Sequence, residues 1–485
     1  MRGEMKVGFS TVDITPPLGS EVPGYFTKRF FYDIHDPLHV KAAVFESEET
    51  RVALVSVDAL SIKASIVKFG RELAEEMTGI PADHIMVAAT HTHSGGPTVE
   101  WASNQKEIIR YSSNPELIRK ILKNAPEADP EYLRFLSYKI ASAVMLADKH
   151  KTNAKCAVGI GKEFTVSFNR RFRMKNGRQM THPGKGNPNI VEPAGPIDPD
   201  VGVLSVWDSY GSFLGCIVNF TCHGTTMNGV EYSADWPYYL DKTIRSIMGW
   251  NSTVIFLNGA CGDVTQVDNQ SMREMEFGEK WSMRVGQKVG AEALKVIADA
   301  EPADLKPIKA TRRFIRIEKR KVPPERLRQA YEIVSSEMLH NDPRWLFARD
   351  IILLNEWIKI EPAVRCEIQA VQIGPAVFIS NPAELFCQLG LEIKSASKFP
   401  FTFIVELANG CIGYVPTEES MGPSGGGYEV RMGMHSFLIP SAGRIIVEES
   451  IKLINSLVPG EVPEAPKVSE VGKPWSYGSV GPEEV

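Results

Sequence analysis

The chain has 485 residues, of which 43% are hydrophobic and 9% aromatic, enough to bury a core in one large domain or two to three ordinary ones. A formal net charge of -5 gives no sign of a nucleic-acid or polyanion partner. No run of about 18 apolar residues occurs, so no transmembrane helix is expected.

The N-terminal stretch MRGEMKVGFSTVDITPP lacks an apolar segment followed by a small-residue cleavage site, so no signal peptide is expected and the default location is cytoplasmic. Segments 41–47 and 51–60 predict paired strands around a charged turn. Residues 62–77 carry helical periodicity that ends at Gly79, a C-cap residue, and 84–90 (HIMVAAT) is a buried strand. A helix follows Asp129, with Pro130 at its first position, and runs to about 150. Segment 100–128 reads as irregular and turn-rich, a lid or substrate loop.

The strand GSFLGCIVNFT comes next, then helices over 235–250 and 278–300 with the strand TVIFLNG between them. A helical pair is expected over 325–339 and 345–358. The strands CEIQAVQIG and AVFISNP, a helix from about 384, the strand TFIVELANG and a last helix over 443–457 complete the body. This interleaving predicts an α/β fold with a mixed β-sheet core and flanking helices. Residues 1–457 are expected to form one domain, and the Pro- and Gly-rich 458–485 a tail. The seven cysteines form no CxxC pair and fit buried thiols in a reducing compartment better than a disulfide framework.

The sharpest chemical signal is VAATHTHSGGPT. In an extended chain His91 and His93 point the same way, just past an apolar strand whose following Ser and Gly residues let a ligand approach. His223 closes a second apolar strand, and TVIFLNGACGDVTQ closes a third with Asn258, Asp263 and Thr265. Strand ends are where α/β sheets place ligands. Two imidazoles with one carboxylate are a common catalytic zinc set that leaves one position open. The carboxylate candidates are Glu384, Asp58, Asp235 and Asp263, and spacing alone does not choose among them.

At these residues the chain resembles the neutral/alkaline ceramidase family, through its N-terminal catalytic domain. The segments VGFSTVDITPP, HDPLHVKAAVF, THTHSGG, SFNRRF, CHGTTM, SADWP, NGACGDVTQ, PAELF and GYVPTEE stand in the family's order. The resemblance implies a ceramidase-like catalytic domain with Zn2+ held by His91, His223, Glu384 and Tyr414. It places His93 on the scissile carbonyl and Arg170 at the substrate, with Asp235 a candidate to orient a ligand imidazole. Thr265 stands where the family has a serine, which leaves its role open.

The sequence ends where the family's immunoglobulin-like domain would begin. With no export signal visible, a lipid substrate is less expected than a small polar amide or lactam. Arg170, Arg171 and Arg173 read first as a solvated basic strand edge, and second as a carboxylate- or sugar-recognising cluster. The expected activity is zinc-dependent amide hydrolysis by metal-activated water, on a small-molecule substrate and without nucleic acid. A homo-oligomer is compatible with the tail and the irregular segment. The alternatives are a metal-dependent esterase or phosphoesterase, or a non-catalytic binding protein of the same fold.

Overall fold

A computed structural model describes residues 4–48, 50–99, 105–336, 338–465, 467, 472, 475–478 and 481–482. Its larger sheet has eight strands: β1 (Lys6–Asp13), β2 (His39–Ser47), β3 (Thr50–Val57), β4 (Ile85–Ala89), β5 (Thr152–Lys162), β6 (Asp200–Asp208), β7 (Phe213–Phe220) and β8 (Thr253–Asn258). Their order is β8-β7-β6-β5-β1-β2-β3-β4. A smaller sheet has the order β9-β10-β11-β12, with β9 Ile308–Glu318, β10 Ala363–Ile373, β11 Ala376–Ser380 and β12 Phe401–Val405.

The apolar alternation along each strand explains how these sheets stack. In β2 to β4, Ala43, Phe45, Leu54 and Met86 join β11 and β12 residues Phe378 and Phe403 in one buried layer between the sheets. Their neighbours Val44, Val55 and Val87 point the other way, onto helices α1 (Ala64–Thr78) and α2 (Pro130–Lys149). The far half of that face packs on α3 (Trp236–Met248) and α4 (Glu279–Asp299).

Helices α5 (Pro324–Ser335), α6 (Pro343–Ile360), α7 (Cys387–Ala396) and α8 (Ala442–Asn455) cover the outer face of the smaller sheet. The result is a four-layer α/β/β/α sandwich, the expected α/β class with two stacked sheets at its core. Strands buried on both faces read as continuous apolar runs, which do not reveal in sequence how they divide between two sheets.

Local chemistry sets the boundaries. Asp129 caps α2 by accepting from Glu131 and Tyr132 backbone N–H groups, and Pro130 opens it. Gly79 closes α1 at φ 70°. The 100–128 segment departs from expectation: residues 100–104 lie outside the described residues, but Gln105–Tyr111 and Pro115–Leu122 are helices that bury Ile108, Ile118 and Ile121. Asn114 caps the second, accepting from Leu117 N–H. The helix expected from 384 starts at Cys387 instead. Glu384–Leu385 is a two-residue strand that pairs with Tyr414–Val415.

The tail expected over 458–485 lies in part outside the described residues. Among those described it carries no helix or strand. Among the described residues no helix is long and apolar enough to cross a membrane. Cys156, Cys216, Cys222, Cys261, Cys366 and Cys387 are buried free thiols, while Cys411 is exposed and opens onto the cavity described next.

Candidate metal centre

Three parallel strand pairs, β3/β4, β7/β8 and β11/β12, end on the same side of the sandwich. The chemistry-bearing residues follow their carboxyl ends. His91 leaves β4 at φ 67°, a left-handed conformation uncommon outside glycine. The extended geometry expected across His91–His93 is therefore broken at His91, yet both rings reach the centre, with centroids 5.0 Å apart.

Thr92 bridges Gly224 in parallel, and His93 N–H donates to the Gly224 carbonyl at 3.0 Å. That bridge sets His91 and His223 side by side, their ring centroids 4.4 Å apart. A side chain on Gly224 would meet the His91 carbonyl oxygen at 2.7 Å, so the close approach requires glycine.

Backbone carbonyls fix both tautomers. His91 Nδ1 lies 2.9 Å from the Leu60 carbonyl oxygen and His223 Nδ1 lies 2.7 Å from that of Cys261. A carbonyl only accepts, so both Nδ1 atoms carry a proton and both Nε2 atoms face inward, able to bind an ion once unprotonated. Glu384 Oε2 is 3.3 Å from His91 Nε2 and 3.6 Å from His223 Nε2. Donors about 2.1 Å from a tetrahedral zinc stand about 3.4 Å apart, so these three atoms fit a common divalent ion. His91 Nε2, His93 Nε2 and Glu384 Oε2 are buried and make no well-formed hydrogen bond, an arrangement that is expensive unless a ligand satisfies them.

The fourth donor has two candidates. Tyr414 is paired to Glu384 across the short ladder, and its hydroxyl accepts from Arg170 Nη2 at 3.1 Å. His93 belongs to a looser histidine triad with His91 and His223, whose donor atoms all lie within 4.8 Å of one another. The tighter spacing favours the set built on Glu384.

The electrostatics follow from burial and crowding. Burial opposes ionisation of Glu384, but the His91 and His223 imidazoles outweigh it and hold the carboxyl well below its ordinary value. Burial and then the Arg170 charge push His223 down to about 3. Burial and the two neighbouring imidazoles depress His93 well below its usual value, leaving it neutral. Burial and Glu384 raise the Tyr414 phenol well above its ordinary value.

Arg170 and Arg171 do not form the solvated edge expected of them. Arg170 Nε donates to Glu429 Oε1 at 2.7 Å and Nη2 to the Gly262 carbonyl at 2.8 Å, while Arg171 Nη1 donates to Glu429 Oε2 at 2.6 Å. Both guanidiniums are buried, and Glu429, whose burial is outweighed by these two cations, is held at about 2. Arg173 does stand at the surface, paired with Glu192 and Glu419.

Asp235 orients no imidazole. Its carboxylate accepts from the backbone N–H groups of Thr226, Met227 and Trp236 and from the Thr226 hydroxyl, tying the loop after His223 to the start of α3. The carbonyls of Leu60 and Cys261 take the orienting role. Asp58 accepts from His39 N–H, and Asp263 from Cys387 N–H and Asn169 Nδ2, so neither reaches the centre.

Glu406, which the sequence reading did not single out, lies directly behind it. Its Oε2 accepts from the N–H groups of Cys261 and Leu385 at 2.9 and 3.1 Å, and its Oε1 from Cys261 Sγ at 2.8 Å. Burial raises its carboxyl to about 8. A lone acid inside the apolar run FTFIVEL was the available signal, because an unpaired buried charge is rare.

Two cavities meet at His93. One, of about 160 Å³, is lined by His91, Glu384 and Tyr414 together with Leu60, Trp357 and Phe437; Val99 and Pro126, which flank the two short helices, complete its rim. The other, of about 460 Å³, is lined by Arg170, Thr265 and His182. Tyr25, His93, Tyr414 and Tyr428 belong to both.

The fold has counterparts of known structure. The chain superimposes on a ceramidase complexed with C2 with a TM-score of 0.68 at 19% identity, covering 96% of this chain and 78% of that one. It superimposes on the neutral ceramidase from Pseudomonas aeruginosa with a TM-score of 0.67 at 20% identity, covering 96% of this chain and 76% of that one. No family model and no curated protein sequence matches the chain. The fold is therefore that of a neutral ceramidase-like domain.

Proposed function

We propose that the chain is a zinc-dependent hydrolase of amide bonds, acting on a small polar N-acyl compound or lactam. The observation that carries this reading is the convergence of His91 Nε2, His223 Nε2 and Glu384 Oε2, with both imidazoles anchored through Nδ1 to backbone carbonyls. The structural likeness to ceramidases, which cleave an amide, supports the reaction class.

Zinc held by His91, His223, Glu384 and Tyr414 would supply Lewis acidity and make water nucleophilic near neutral pH. The protein supplies the rest. Resonance makes an amide carbon a poor electrophile, so the oxygen that becomes negative needs donors already in place. His93 stands beside the centre and faces both cavities. Arg170, clamped by Glu429 and Gly262, presents Nη1 at 3.4 Å from His223 Nε2 as a fixed positive charge. Neutral His93, beside the scissile carbonyl, donates to the oxygen that becomes negative, and the proton lost by the attacking water passes to the leaving nitrogen as the C–N bond breaks. Thr265 Oγ1 accepts from Val267 N–H at 3.2 Å, which leaves its own proton for a substrate atom in the larger cavity.

Elemental analysis of the purified protein, with a screen of N-acyl compounds, esters and aryl phosphates, tests the reading. The expected result is about one zinc per chain and released amine. Absence of bound metal together with no amine release overturns it, and faster turnover of aryl phosphates than of any amide replaces it.

A further inference from the structure

The larger cavity shows a chemistry that the metal centre does not require. At about 460 Å³ it falls in the size range of small-molecule sites, about 300–1,000 Å³, whereas the 160 Å³ chamber is below it. Among the described residues no Asp, Glu or Lys lines the larger cavity, and its single cation, Arg170, is paired with Glu429. Neutral polar groups, Thr181, Thr225, Asn228, Thr265 and His182, face the space beside the apolar Phe26, Met227 and Val267. The aromatic side chains of Tyr25, Phe277 and Tyr428 lie among them.

The hydrogen-bonding directions are set by the surrounding protein. Thr181 gives its proton to Glu429 and Thr225 gives its own to Gln266, so toward a ligand both hydroxyls accept. His182 Nδ1 takes a hydrogen bond from Asn269 Nδ2 at 3.1 Å, which leaves the ring proton on Nε2 as a donor. Burial and then the Arg170 charge lower His182 to about 4, so the ring stays neutral. His182 also sits at φ 45°, a strained backbone for a non-glycine residue and one that collects at ligand sites.

Mixed donors and acceptors without net charge, set among aromatic faces, match a compact group bearing several hydroxyls. Such a group offers a proton and lone pairs at each oxygen and apolar C–H faces between them. An anion finds no unpaired cation here, and a long alkyl chain would strand the polar wall.

We infer that this cavity binds a neutral polyhydroxylated moiety, such as an amino sugar or amino polyol, with His182 as its specificity-determining donor. On the reading proposed above, that moiety is the amine half of the amide, and the smaller chamber, lined in part by Leu60, Trp357 and Phe437, takes a short acyl group.

Binding to the metal-stripped protein isolates this inference from the reaction. Isothermal titration with N-acetylglucosamine, N-acetylglutamate and N-acetylhexylamine should show the sugar binding at least tenfold more tightly than the other two. His182→Leu should weaken sugar binding at least tenfold and His182→Gln, which keeps a donor, should restore most of it, with N-acetylhexylamine unaffected by either. Preference for the anion or the alkyl amide, or sugar binding indifferent to His182→Leu, overturns the inference. A protein that binds the sugar through His182 but holds no metal and releases no amine supports the cavity assignment while refuting the hydrolase reading.

Discussion

Glu384 and Tyr414 are direct register partners in a two-residue parallel ladder. A second parallel contact, Thr92 to Gly224, immediately follows His91 and His223. The candidate ligands thus enter as two pairs, each locked by backbone hydrogen bonding before any ion arrives. A centre assembled in this way binds metal only in the folded state, so binding energy appears as folding stability. Zinc at about 100 times its dissociation constant should stabilise the wild-type protein by about 2.7 kcal/mol. The His91→Ala variant should gain none of this and should be inactive. Thermal unfolding with zinc and with a chelator measures both; an equal zinc-dependent gain in His91→Ala would remove His91 from the ligand set.

His93 distinguishes the two donor sets. If the ion is held by the Glu384-centred group, His93→Ala keeps full metal content and loses turnover by about 10²–10³, the usual effect of deleting one preorganised donor. Metal content and kcat on the same preparation decide the matter. Loss of metal in step with activity would move His93 into the coordination sphere and favour the histidine triad.

The position of the His93 ring depends on Gly24, which has φ +103° and no room for a side chain: a Cβ there would lie 2.7 Å from His93 Nδ1. Gly24→Ala should therefore displace the imidazole, lowering kcat toward the His93→Ala level while leaving bound metal unchanged. A variant as fast as wild type would show that the ring has no fixed position to lose.

How much of this was legible follows from what each residue does locally. His91 and His223 could be found because each ends a strand buried on both faces, which reads as an unbroken apolar run. The strands β1, β5, β6 and β9 went unnoticed: sequences such as IKATRRFIRIE mix charge into the alternation and resemble exposed loops. Tyr414 emerged only through family resemblance, and Glu384 stood as one of four carboxylate candidates until the resemblance chose it, because a two-residue ladder between segments 30 positions apart leaves no periodicity. Asp235 was misplaced for a different reason. An acid before a helix and an acid behind a ligand look the same in sequence, and here the cap won.

Glu429 joins Arg170 and Arg171 in a buried charge cluster beside the site, and its pH dependence has a definite sign. Its carboxyl titrates at about 2 in the folded chain against an ordinary 4.5, so the pair with Arg170 and Arg171 contributes fully above pH 4.5. The contribution fades as pH falls from there through 2. Glu429→Gln leaves two buried guanidiniums without their counter-ion and should destabilise by about 3–5 kcal/mol at pH 7. Urea denaturation of both proteins from pH 7 to pH 3 should show the gap narrowing on the acid side. A gap that is constant with pH would mean that packing, not charge, accounts for the loss.

Glu406 touches no candidate ligand side chain, yet it governs two of them through the backbone. By accepting from Cys261 N–H it fixes the peptide whose carbonyl orients His223. By accepting from Leu385 N–H it fixes the residue next to Glu384. Glu406→Leu leaves the Cys261 and Leu385 N–H groups, which both donate to Oε2, without an acceptor, so one of these backbone segments must shift. Groups behind metal ligands typically alter affinity by about 10–100-fold, and that loss is expected here, read by chelator competition on protein whose unfolding curve shows it intact. Because His223 and Glu384 would both be displaced, the weakening should be larger than for Cys261→Ala, which removes only the thiol bond to Glu406 and spares both backbone contacts. Equal zinc affinity in Glu406→Leu and wild type would show that the short ladder and the Thr92–Gly224 bridge suffice to hold the centre without it.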